Sequence, residues 1–284
     1  MTKIIALIDG SAYTQSVVEL GAFVGAKTEA SLELVHVITQ RYLAKGPDNL
    51  SGSLSLGARS ALLDELTRHD EEAGRLAQSR GRVILDAAKA HVEASGFTTV
   101  TARLRHEDLV EAVHDLEGEA DLIILGKRGE HADFAKMHLG SNLERVARAS
   151  HKPVLVAART FTPITRAVIA FDNGTSIHKA IAHIKTGKLF PGIALHLVCA
   201  TEPDSTLARA QDEAAETLRQ AGFEVTTVCA PGEPEHVIGD YIKAQDAHLL
   251  IMGAYGHSRI RSLIIGSTTT HMIRQCRVPV MLFR

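Results

Sequence analysis

GAYGHSRIRSLIIGST, Gly253 to Thr268, stands between two segments of different periodicity. Ahead of it, His248-Leu249-Leu250-Ile251-Met252 is a short apolar run ended by glycine, the pattern of a strand buried on both faces of a parallel sheet. Behind it, Met272, Ile273 and Cys276 recur at helical spacing. The order is strand, Gly-x-x-Gly, a nine-residue spacer, Gly-Ser-Thr, helix. Glycines let the backbone approach a ligand closely and take positive φ. A helix opening at Ser267 turns unpaired N–H groups and a partial positive charge toward the loop. Together these features make a phosphate site. A single copy is explained equally well by a strand-to-helix loop that needs glycine for its turn.

The pattern occurs twice. Asp121 through Gly129 (DLIILGKRG) aligns with His248 through Gly256 (HLLIMGAYG). Gly140-Ser141-Asn142 aligns with Gly266-Ser267-Thr268, and Pro153-Val154-Leu155-Val156 with Pro279-Val280-Met281-Leu282. At the starts of the halves, Ile8-Asp9 matches Phe171-Asp172 and His36-Val37 matches His196-Leu197. Internal duplication therefore governs the architecture. It divides the chain into domains 1–159 and 160–284. The join, Thr160 to Arg166, is short and contains Pro163, which implies halves packed together rather than swinging freely.

Within each half, apolar runs alternate with helical stripes as β-α-β-α-β-α-β-α-β. That alternation predicts an α/β fold with a parallel sheet covered by helices on both faces. The last strand of each half has no following helix, so pairing the two would bury both edges. A segment at about 40–75 has no counterpart in the second half. Gly46-Pro47-Asp48-Asn49 and Ser51-Gly52-Ser53 read as loop, while Leu62, Leu63 and Leu66 suggest a helical piece. Ile84, Ala88 and Val92 then form a helical stripe closed by Gly96.

Asp9 and Asp172 fall at the carboxyl ends of first strands, where open α/β sheets bind ligands. A carboxylate there can accept a hydrogen bond from an adenine amino group, or it can cap the following helix. His36, alone in an apolar run, reads as a satisfied core histidine. The first glycine loop has ten spacer residues and carries Glu130 and Asp133, which oppose phosphate unless a metal intervenes. Lys127, Arg128 and Lys136 partly offset them, leaving the first site the weaker of the two.

Composition narrows the function classes. A net charge of −2 supplies no general attraction to nucleic acid or to an anionic membrane, and 4% aromatic residues without tryptophan make a poor base-stacking platform. Cys199, Cys229 and Cys276 form no C-x-x-C and lie in apolar runs, as buried thiols of a reducing compartment do. Met1-Thr2-Lys3 leads straight into a strand, and no apolar run reaches membrane length, so a cytoplasmic protein is expected.

The chain resembles the universal stress proteins in a tandem two-domain form. The likeness is carried by Gly253, Gly256, Gly266 and Ser267, by Asp172, by His196-Leu197-Val198 and by Pro279-Val280. It implies two tandem doubly wound domains, each with a five-stranded parallel sheet of order 3-2-1-4-5, and ATP as ligand, with or without Mg²⁺. By position, Asp172 and Leu197 would meet adenine, and Met252 and Gly253 would lie near ribose. Gly256, Gly266, Ser267 and Thr268 would hold phosphates. The first-half matches are Asp9, Val37, Gly126, Gly129, Gly140, Ser141 and Asn142. The resemblance further implies pairing through the last strands, a homodimer and a role in stress survival. The residues leave three functions open: a nucleotide-binding regulatory protein without catalysis, a slow Mg²⁺-dependent ATP hydrolase, and a ligand-free scaffold with vestigial pockets. No protein metal ligands and no catalytic residue are assigned.

Overall fold

A computed structural model describes residues 2–39, 56–129, 141–254 and 266–284, with side chains from 65 in the second of these segments and from 142 in the third. The first half runs β1 (Lys3–Leu7), α1 (Thr14–Thr28), β2 (Ser31–Ile38), α2 (Leu56–Ala94), β3 (Val100–His106), α3 (Leu109–Glu117), β4 (Leu122–Gly126), α4 (Ser141–Ala149) and β5 (Val154–Ala157). The second runs β6 (Arg166–Ala170), α5 (Thr175–Thr186), β7 (Ala194–Cys199), α6 (Thr206–Gln220), β8 (Val225–Cys229), α7 (Pro234–Ala244), β9 (Leu249–Gly253), α8 (Ser267–Gln275) and β10 (Val280–Phe283).

All these strands form one sheet, in the order β3-β2-β1-β4-β5-β10-β9-β6-β7-β8. Each half has the expected 3-2-1-4-5 order with parallel neighbours. The halves meet where β5 and β10 pair antiparallel, which covers the two edges that lack a following helix.

Side chains alternate across the sheet, and so separate two cores. Ile4 and Ala6 of β1, with Ile8 just after it, lie on the side of the sheet that carries α1, α2, α5 and α6, while Ile5 and Leu7 lie on the side that carries α3, α4, α7 and α8. In β9, Leu249 and Ile251 point one way and Leu250 and Met252 the other. Both cores run through both halves. Burial of each such aliphatic side chain stabilises the fold by roughly 1.5–3 kcal/mol. The join is packed down as well: Ile164 is buried, and Phe161 lies against Phe23 with ring centroids 5.6 Å apart.

The helical piece and the stripe that follows it are one helix. α2 has 39 residues and takes in most of the unmatched segment, because no proline interrupts Leu56 to Ala94. Its C-terminal part buries Leu85, Ala88 and Val92, and Gly96 closes it at φ +90°. Gly81 lets α2 cross the sheet closely, since a Cβ there would come within 2.7 Å of Leu104 and 2.9 Å of His36. Further toward the N-terminus, Leu76 and Val83 are exposed. Among the described residues, no helix is long and apolar enough to cross a membrane.

Candidate functional site

The strand order reverses between β6 and β9, which leaves a crevice at their carboxyl ends. It holds about 420 Å³. Asp172 follows β6, Ala200 follows β7, Met252 and Gly253 end β9, and Gly266, Ser267 and Thr268 open α8; all line it. Phe171, Leu207 and Ile238 supply apolar walls. The structure thus brings together six of the residues assigned to the second site: Asp172, Met252, Gly253, Gly266, Ser267 and Thr268. Gly256, with Arg259 and Arg261 of the spacer, lies outside the described residues.

The start of α8 is built to present donors. Its N-cap is Gly266, which has no side chain to accept a bond from the first-turn amides. The Gly266 carbonyl accepts from Thr270 N at 2.8 Å, closing the first helical turn. Thr269 Oγ1 donates to the Gly253 carbonyl at 3.1 Å, tying the helix start to the end of β9. Gly266 has φ −55°, so it does not use the positive φ open to glycine. Thr269 escaped the sequence reading because its counterpart in the first half is Leu143, which carries no polar signal.

Neither strand-end aspartate is the N-cap residue of the helix that follows it; Tyr13 takes that place in α1 and Gly174 in α5. Asp172 Oδ1 accepts from Gly174 N at 2.8 Å, and Asp9 Oδ1 accepts from Ser11 N at 3.0 Å. Each closes an Asx turn that shapes the loop after its strand.

Leu197 requires a correction. It is fully buried in the core and does not line the crevice; Ala200 stands there instead. The backbone shows why. Ile8 N bonds Val35 O in the first half, and Phe171 N bonds Val198 O in the second. Val35 therefore matches Val198, and Val37 matches Ala200. Aligning His36 with His196 shifted the strand by three residues. Both histidines have bland structural roles: His36 Nδ1 meets Ile8 O at 2.8 Å, and His196 Nδ1 meets the Tyr241 hydroxyl at 2.7 Å.

The first half keeps the outline but not the space. Asp9, Val37, Gly126, Gly129 and Asn142 line a crevice of about 100 Å³. Tyr13 fills part of it, because its Cβ stands where a Cβ on Gly126 would be only 2.6 Å away. The Asp9 carboxylate lies over Gly129, 2.9 Å from where a Cβ would sit. In the second half the position of Tyr13 is Ser176. That contrast was present in the sequence and went unread. Gly140, Glu130, Asp133 and Lys136 lie outside the described residues, and Ser141 is described only as the first residue of α4. The ammonium of Lys127, expected to favour phosphate in this loop, donates instead to the carbonyl of Cys276 in the other half. Burial lowers its pKa to about 8.

A family model described as the universal stress protein family matches residues 1–158 and 166–284. Universal stress protein Slr1230 of Synechocystis sp. is 34% identical over 287 residues, with all of both chains covered. Universal stress protein MJ0577 of Methanocaldococcus jannaschii is 30% identical over 49% of this chain and 82% of its own length. The crystal structure of a universal stress protein from Archaeoglobus fulgidus shares the fold, with a TM-score of 0.67 at 21% identity over 99% of this chain and 98% of that one. The duplicated glycine loop, the 3-2-1-4-5 sheets and the full-length match lead to one conclusion: the chain belongs to the universal stress protein family.

Proposed function

We propose that the protein binds an adenine nucleotide, ATP in the first instance, in the second-half crevice, and that it acts as a regulatory protein of stress survival. One observation carries the reading: the glycine-capped N-terminus of α8 opens into the same crevice as Gly253 and Asp172, at the point where strand order reverses. Gly266, Ser267 and Thr268, with Gly256, take the phosphates. Met252 and Gly253 face the ribose, Asp172 accepts from the adenine amino group, and Ala200 takes the place first given to Leu197. A bound Mg²⁺ would supply charge neutralisation on the phosphates. The narrow first crevice favours one nucleotide per chain, with 1–159 and 160–284 as the two domains.

Calorimetric titration of the full chain with ATP tests this. The expected result is saturable binding near one site per chain, lost in Gly266→Val, whose added bulk enters the phosphate path. ATP affinity retained in that variant would remove the phosphate assignment.

A further inference from the structure

Lys127 follows Gly126 in the first glycine loop, yet its ammonium serves the other half of the molecule. It is buried and donates to the carbonyl of Cys276, the residue that ends α8. Its counterpart in the second half is the buried Ala254, so the repeat is broken here. A cation crosses in the opposite direction too: Arg284 donates to the Arg148 carbonyl, near the end of α4, at 2.7 Å. Each helix that opens on a crevice is thus held at its far end by a positive side chain from the opposite half.

The geometry points to Lys127 as a positioning residue for the phosphate site of the second half, acting through α8. This inference rests on the nucleotide reading above. α8 has nine residues, so its ends are about 14 Å apart. The bond to the Cys276 carbonyl anchors this far end and so fixes how far the first-turn amides project into the crevice. Adenosine, which has no phosphate, does not sense them. Anything that reorders residues 126–129 therefore changes anion affinity in the other half, so the narrow first loop acts as a regulatory input. Among the described residues, Arg128 on the same loop and the Cys276 thiol just past α8 act electrostatically on the amine. Burial pushes that thiol up.

The test is titration of the full chain with ATP and, separately, with adenosine at pH 7. Lys127→Met is expected to weaken ATP binding about two- to fivefold and leave adenosine unchanged, with Lys127→Arg restoring ATP affinity. Equal losses for both ligands, or no loss for ATP, overturn the role of Lys127. Should Lys127→Met not fold, the wild type supplies the readout. Its ATP affinity should fall as pH rises through about 8 while adenosine affinity holds, and a flat ATP profile overturns the inference. A wild type that binds no ATP overturns the nucleotide reading itself, and this inference with it.

Discussion

Leu155 pairs with Met281, its own counterpart in the second half, at the centre of the antiparallel β5–β10 ladder. On either side, Val154 pairs with Leu282 and Val156 with Val280, so a pseudo-two-fold axis passes through the Leu155–Met281 pair. Both side chains are fully buried in the same core. The duplicated strand is its own partner, and this makes two five-stranded sheets into one.

Met281→Ala should therefore destabilise the whole chain and not just one half. The expected cost is about 2–5 kcal/mol, the range for truncating a buried large aliphatic side chain. Urea unfolding followed by circular dichroism should show one transition in the wild type, shifted to lower denaturant in the variant. A second transition that does not move would show that the halves unfold independently of the seam.

Under the proposed nucleotide reading, Tyr13 sets how many nucleotides a chain holds. Its side chain packs on Gly126 and narrows the first crevice, where the second half has Ser176. Tyr13→Ser should open that space and raise the calorimetric stoichiometry above one ATP per chain. An unchanged stoichiometry would assign the block to Asp9 over Gly129 instead.

Lys127 also sets a pH dependence of stability. Its pKa in the folded protein is about 8, lowered by burial from an ordinary value of 10.5. Between these values the unfolded chain binds more protons than the folded one, so stability contributed through Lys127 increases as pH rises from 8 to 10.5. The difference is on the order of 3 kcal/mol. Paired denaturation series should show this gain in the wild type relative to Lys127→Met. Parallel curves for the two proteins would place the amine in a wetter setting.

The three thiols should be inert in the native protein. Burial pushes Cys199 up to about 12 and raises Cys229 and Cys276 as well. Thiolate is the reactive form, so iodoacetamide at pH 8 should leave all three unmodified until denaturant is added. Mass spectrometry after native labelling checks this, and any site modified early contradicts the burial argument. Cys199 and Cys229 are register partners on β7 and β8, and both are free thiols.

Local pattern alone was enough for the layered fold. Apolar runs such as Ile4 to Ile8 and Leu249 to Met252, short and bounded by turn residues, read as strands covered on both faces, and the glycine loop with its helix reads the same way in both copies. That Asp172, Met252, Gly253, Gly266, Ser267 and Thr268 gather at one crevice was legible for the same reason, since they lie on these repeated elements. Tertiary structure decided what depends on neighbours distant in sequence. The register of β7 follows from its bonds to β6, which put Ala200 rather than Leu197 at the crevice. The space in the first crevice depends on how Tyr13 packs on Gly126, and the task of Lys127 depends on a carbonyl in the other half. Periodicity records which face of an element is apolar. It does not record which atoms of another element will stand against that face, and at this protein's two crevices those atoms distinguish an open site from a filled one.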